Sequence, residues 1–292
     1  MSSLPPHWSP TQSEMFAMCP ERYRRRYVEG EVIAPGIALL RGSSVHKGAE
    51  INLKHKREHK VLLPLPAVLD AVRDEFEARW QGGVKLTPEE SAIGMSATKG
   101  AAIDESVRAA QFHHEEIAPI LRPALVEAKA ETVVAGLPRP LLGFIDVVEE
   151  DGGIGDLKVT GKTPSDEAAA NSVQLKHYAL AYKIAKGKPS PRQRLDFLVS
   201  LKRGPKYVPV TTQNGPDDFA RLLARYAAQM GAIDAGRFPP ATPGAWWCSE
   251  KWCGFYQTCP YVRSPVSVVV PAAGSGAFEE NIGEREEDES AE

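Results

Sequence analysis

Apolar residues recur along this chain with two different periods, and the change between them marks out its architecture. Over the first 120 residues the spacing is helical. Ser9-Pro10-Thr11-Gln12 reads as a helix start, with Ser9 as cap, proline in the first turn and Gln12 closing a capping box. Met15, Cys19, Tyr23 and Tyr27 then fall four apart on one face, and Pro20 interrupts this helix or opens a second. Further helices are predicted over about 43–57, 67–80 and 101–120, the last two separated by a polar, glycine-containing loop. Strand character follows at 124–134, 141–149 and 154–160, with Asp151-Gly152-Gly153 as the turn of a hairpin between the last two. A helix capped by Ser165 or Asp166 is expected to reach about Ala185. Strands are expected at 195–201 and, at an edge, 207–211, before a helix over 217–233.

Size and composition narrow the picture little. The 292 residues suffice for one large domain or two small ones. No secretory signal or membrane-spanning run is apparent, which predicts a cytoplasmic protein with no membrane partner. Charge says more. The formal −3 conceals a tail from Glu279 onward with eight acids and one arginine; without it the chain has 34 basic and 30 acidic residues, a formal +4. The body is therefore mildly basic, as a nucleic-acid partner would require, and the acidic tail is expected to be disordered from about 276. Cys19 stands near the start, while Cys248, Cys253 and Cys259 cluster near the end. That pattern suits a four-thiolate metal site or four unrelated thiols better than a disulfide framework.

The hairpin carries the chemistry. Asp146 lies in the apolar run Leu141–Val148, and Asp156-Leu157-Lys158 follows after the turn, so Asp146 and Asp156 are expected nearly opposite each other, within reach of one divalent ion. Period-two alternation points Lys158 to the same face as Asp156. Carboxylates so placed repel and desolvate one another unless a cation joins them.

These residues, taken in order with Cys19-Pro20, Gly42-Ser43-Ser44-Val45-His46, Glu127, Gly143-Phe144-Ile145-Asp146, Gln174-Leu175-Lys176-His177-Tyr178 and the late cysteines, resemble the PD-(D/E)XK nuclease superfamily. The match is closest to RecB-type nucleases that carry an iron–sulfur cluster, a branch with AddB subunits, a CRISPR spacer-acquisition exonuclease and phage-encoded relatives. The resemblance implies an α/β fold with a restriction-endonuclease-like mixed central sheet flanked by helices. The resemblance covers roughly residues 8 to 262 and implies one domain over 1–262, comprising N-terminal helices (8–60), a helical insertion (61–123), a nuclease core (124–235) and a cysteine segment (236–262), with a tail from 263. It implies Mg²⁺ or Mn²⁺ on His46, Asp146, Asp156 and the Leu157 carbonyl, and Lys158 assisting the attack of water. Glu127 becomes an outer-shell or second-metal acid, with Glu131 a weaker candidate. Gln174 and Tyr178 are expected to contact the scissile strand. Arg22, Arg24, Arg25, Lys162 and Lys176 could track phosphates. Cys19, Cys248, Cys253 and Cys259 would bind a [4Fe–4S] cluster, with zinc as the alternative, since four residues separate Cys248 from Cys253 where several relatives have two.

The function so implied is a metal-dependent exonuclease acting on single-stranded DNA or free ends, in recombination, repair or spacer acquisition, alongside helicase, recombination or CRISPR adaptation proteins. The alternative is a non-catalytic DNA-binding or assembly subunit that keeps the nuclease fold. Gly161-Lys162-Thr163 resembles the end of a phosphate-binding loop, but five residues rather than four separate Gly155 from Gly161, which excludes that reading.

Overall fold

Ser9 opens the fold as its side chain dictates. In the computed structural model, which describes residues 4–201 and 203–263, the Ser9 hydroxyl accepts from the Gln12 amide at 3.3 Å and Gln12 Oε1 accepts from the Ser9 amide at 2.8 Å. The acidic tail expected to be disordered from 276 lies outside the described residues. Those described fall into two compact units, one reaching Tyr256 and the other beginning at Gln257 and including the short helix α10 (Pro260–Arg263).

Within the first unit, α1 (Pro10–Met18) stops before Pro20, which lacks the amide needed to continue it and starts α2 (Pro20–Tyr23), followed by a wider π turn at Arg24–Val28. α3 (Ile37–His59), α4 (Leu65–Gln81) and α6 (Met95–Phe112) pack on one another. Two expectations need correction here. The loop expected between the last two helices contains α5 (Pro88–Ile93), started by a second capping box in which Thr87 and Glu90 exchange bonds. The helix expected to reach 120 gives way at His113–Ile117 to a π turn. Lys56 closes that region, its ammonium donating to the carbonyls of Ala118, Pro119 and Leu121 at 2.7–2.8 Å.

β1 (Pro123–Thr132), β2 (Leu141–Glu149), β3 (Ile154–Thr160), β4 (Gln193–Leu201) and β5 (Gly204–Thr212) form one sheet in chain order. All neighbours are antiparallel except β3 and β4. That parallel step needs a crossover, made by α7 (Ala168–Asn171) and α8 (Val173–Lys186). The helix expected from 165 to 185 is broken in two because Ser172 leaves helical geometry and recaps the chain, its hydroxyl accepting from the Leu175 amide at 3.1 Å. β5 is an edge strand, as its pattern predicted, and α9 (Pro216–Asp234) packs on α8.

Helices cover both faces of the sheet. Val45, Leu53 and Ile117 pack with Leu157 and Leu198 on one side. On the other, Trp8, Phe16, Tyr23, Tyr226 and Met230 pack with Leu141 and Leu180. Ser13 locks α1 to α9: its hydroxyl donates to Gln229 Oε1 at 2.6 Å and its carbonyl accepts from Gln229 Nε2 at 3.0 Å. The segment before residue 257 is laced to the N-terminal helices. Trp247 Nε1 donates to the Met18 carbonyl at 2.9 Å, and Arg25 donates to the Phe255 carbonyl at 3.3 Å. No helix among the described residues is long and apolar enough to cross a membrane.

Gly143 in β2 lies against α8 so closely that a Cβ there would stand 2.6 Å from the Tyr178 ring. Gly143→Ala must displace that ring, and the expected cost is about 1–3 kcal/mol of stability, as for other overpacked sites. A lowered urea midpoint in equilibrium unfolding would show it.

Candidate active site

The splaying of β2 from β3 creates the site. The two strands pair at Val148↔Ile154 and Val147↔Gly155, and beyond that point the Leu157 amide donates to Asp146 Oδ2 at 2.7 Å. The same Oδ2 lies 3.3 Å from Nδ1 of His46, presented from α3. On the other side, β1 pairs Val126 with Val147 and Ala128 with Ile145, while Glu127 between them takes the left-handed φ of 50°. For a non-glycine strand residue this costs on the order of 1–3 kcal/mol, and such strain gathers at functional sites. Ligand atoms of His46, Glu127 and Asp146 thereby come within 4.8 Å of one another, the one such trio of histidine, cysteine or acid side chains among the described residues. These three also line a cavity of about 20 Å³, room for one water or ion.

Asp156 lies just outside this trio. It is 1% exposed, and neither carboxylate oxygen has a hydrogen-bond partner, although Oδ2 stands 2.6 Å from Lys158 Nζ in an ion contact without hydrogen-bond alignment. Asp156 remains close enough for its charge to act on both His46 and Asp146. Burial first, and then the Asp156 charge, hold the Asp146 carboxyl well above the ordinary aspartate range. Burial likewise raises Glu127, with Glu50 adding to the effect. His46 is lowered by burial, against the pull of Asp156, with Lys158 lowering it further. A buried carboxylate without hydrogen bonds, beside two acids reluctant to ionise and a neutral imidazole, is a donor set short of positive charge. It fits a divalent cation that takes oxygen and nitrogen ligands.

Lys158 also donates to Gln174 Oε1 at 2.6 Å, and Gln174 Nε2 to the Tyr178 hydroxyl at 2.9 Å. Ser172 starts α8 so that these two residues, one turn apart, face the lysine. A groove of about 600 Å³ opens over the site, walled by α3 and α4 and floored by Glu127 and Lys158.

Three residues here went unnoticed in the sequence. Glu50 follows His46 by one helical turn, lines the groove and pairs with Lys47 at 3.1 Å and Lys54 at 2.5 Å. That i+4 spacing was a usable signal. Glu14 on α1 is solvent-accessible yet feels Lys158, Arg225 and Asp156, and its carboxyl is raised chiefly by desolvation. His113 is buried against the same cavity and held neutral, pushed to about 4 by burial with His46 and His114 nearby. Neither had a sequence signal.

Other candidates lie elsewhere. Glu131 is exposed and pairs with Lys129 at 2.5 Å. Arg24 is matched by Glu21 and Glu29, and Arg25 by Glu31, so these arginines are held in local ion pairs. Lys176 donates to the Ala170 carbonyl, and Lys162 lies in an exposed turn after β3. Cys19 Sγ accepts from the Arg22 amide at 3.4 Å, and its thiol is raised by burial, with Cys253 near enough to contribute. Cys248 is exposed and Cys253 half-buried, while Cys259 falls in the second unit.

The profile of the PD-(D/E)XK nuclease superfamily matches residues 7–260. In structure the chain is similar to a crystal structure from Eubacterium rectale described, provisionally, as an exonuclease. The TM-score is 0.54 at 12% identity, covering 91% of this chain and 90% of that one. SSO0001 matches more loosely, with a TM-score of 0.34 at 14% identity over 74% of this chain and 84% of that one. A sequence search of curated proteins finds no match.

Asp146 is harder to ionise in the folded chain than in the unfolded one, so it lowers stability at pH values above its unfolded pKa. Without added metal, Asp146→Asn is therefore expected to be the more stable protein at pH 7, by on the order of 1 kcal/mol. The gap should narrow as pH falls through the raised folded pKa and be gone below about 4, where both states are protonated. Thermal melts in chelator across that range check both the sign and the window.

Proposed function

Since the chain belongs to the PD-(D/E)XK nuclease superfamily, we propose that it is a divalent-metal-dependent deoxyribonuclease, an exonuclease on single-stranded or free-ended DNA. The observation that carries this reading is Asp156, a buried carboxylate with no hydrogen bond, near enough to act on Asp146 of the trio His46, Glu127 and Asp146, of which His46 and Glu127 line an open groove. Mg²⁺ or Mn²⁺ would be held by His46, Asp146 and Glu127 with Asp156 and the Leu157 carbonyl, and would supply Lewis-acid polarisation of the phosphate and a more acidic water. The histidine favours Mn²⁺.

The chain's own groups have separable tasks. Lys158 offers a fixed positive charge to phosphate oxygens on which negative charge builds, and electrostatic preorganisation of this kind is commonly the largest catalytic contribution. Asp156 and Gln174 hold its ammonium, and Tyr178 holds Gln174. Glu127, with its raised carboxyl, can keep a proton near the site or accept one from water. Lys158→Ala and Asp156→Ala are each expected to lower kcat on end-labelled single-stranded DNA by about 10²-fold or more, with protein folding and DNA binding retained. Wild-type turnover in either variant removes the mechanism. Assays with both labelled ends, with and without Mn²⁺, also read the polarity.

We further propose that Cys19, Cys248, Cys253 and Cys259 hold a [4Fe–4S] cluster that fastens the N-terminal helices to the C-terminal segment. One observation supports it. The peptide around Cys248 and Cys253 is already laced to the Cys19 region through Trp247 and Arg25. Protein purified without oxygen is expected to be brown, and Cys19→Ser should lose both the colour and several degrees of melting temperature. A colourless protein with stoichiometric zinc would overturn the cluster.

A further inference from the structure

Trp246 and Trp252 are 63% and 54% exposed, a costly display of the largest apolar side chain. Their ring centroids are 5.4 Å apart at an interplanar angle of 85°, and Trp246 meets Trp247 edge to face at 5.6 Å. Trp247 is the anchor of the three, fixed by its bond to the Met18 carbonyl. Trp246 thus stands on an indole tied to the framework, and Trp252 leans on Trp246. Lys251, paired with Glu89 at 3.1 Å, stands 5.8 Å from the Trp252 ring.

The position of this cluster gives it a use. Lys85 Nζ donates to the carbonyl of Glu250 at 3.3 Å, and the Lys85 backbone bridges Gly36, the residue that precedes α3. From there α3 runs along the groove wall, where Leu39, Gly42 and Ser43 line it, and ends its approach at His46. Ten residues of helix cover about 15 Å. The groove's lining reaches from the candidate metal ligands to Ala38 and Leu39, and the Lys85 bridge to Gly36 ties that end of α3 to the segment that carries the exposed tryptophans.

We propose that Trp246 and Trp252 form a stacking platform for the bases of single-stranded DNA whose backbone enters the groove along α3. The inference deepens the nuclease reading and rests on it for the identity of the strand. Every base offers a π face, so such a platform holds a strand without reading its sequence. A duplex keeps those faces stacked on one another, so the platform selects single strands. Two perpendicular rings suit splayed bases better than they make the continuous apolar face that a protein partner needs.

The test uses the full-length protein carrying Lys158→Ala, which spares the ligand from digestion, titrated with oligothymidylate. Binding should quench tryptophan fluorescence. Adding Trp246→Ala and Trp252→Ala should weaken binding by about tenfold to a hundredfold, while Trp246→Phe and Trp252→Phe should hold it within a fewfold of the parent. An abasic oligonucleotide should bind the parent as weakly as oligothymidylate binds the alanine pair. Equal affinity for abasic and thymidine strands, or an alanine pair that binds like the parent, overturns the platform. An alanine pair that changes only the oligomeric state overturns it in favour of a protein-docking face. Hydrolysis of thymidine p-nitrophenyl phosphodiester, too short to span the groove, separates the two readings and should be unchanged by the alanine pair with Lys158 intact. If the Lys158→Ala protein binds strands through these rings yet the protein with Lys158 intact never hydrolyses the diester, the nuclease reading fails and the platform stands.

Discussion

One diverted hydrogen bond shapes the centre of this protein. The Leu157 amide, where a continued β2–β3 ladder would have sought a carbonyl, donates to the carboxylate of Asp146. The strands therefore part after two paired positions, and the gap admits the imidazole of His46 from one side and Glu127 from the other. The neighbouring residues fit this arrangement. At Gly155 any Cβ would press on Val147 at 2.8 Å and on the Asp196 carboxylate at 3.0 Å. Glu127 accepts a left-handed backbone. Local strain is concentrated where the chemistry is proposed and is carried by the packing on both faces of the sheet.

The same sheet shows what a compensated set of buried acids looks like. Glu149 and Asp196 are each under 9% exposed, yet Arg194 reaches both, Arg192 pairs with Glu149, and the Tyr207 hydroxyl donates to Asp196 at 2.5 Å. Guanidinium groups with forked donors satisfy carboxylates well. Asp146, Asp156 and Glu127 have no guanidinium; Lys158 serves Asp156, and the lysines that act on Glu127, Lys47 and Lys54, are already paired with Glu50. The contrast within one sheet argues that the shortage of positive charge is a property of this position and not of the fold.

Much of the framework was legible because strands with glycine turns and capped helices leave short-range marks. β2 and β3 were readable to the residue, since the apolar runs are continuous and Gly152, at φ 89°, makes the turn. Ser172 was not, because a serine inside a helical pattern can as well face solvent as recap a new helix. His46, Asp146 and Lys158 were legible through order along the chain. Glu14 and His113 were not, because the contacts that bring them in depend on how α1 and the turn after α6 settle against the sheet. The place of Asp156 beside the trio, rather than within it, was equally hidden. Strand alternation assigns it to a face but cannot say which of two neighbours, a lysine or a histidine, its oxygens will meet.

The tie between Ser13 and Gln229 has a consequence for biogenesis. More than two hundred residues separate the partners, so while the ribosome is still at work the first helix has emerged long before the surface that receives it. Trp8, Phe16 and Tyr23 gain part of their cover from Leu141 and Leu180 but must wait for Tyr226 and Met230 to complete it. The early chain is thus open to aggregation and to proteases until the last tenth or so of the nuclease body appears. Truncated products would lack the element that completes the shelter of their own beginning.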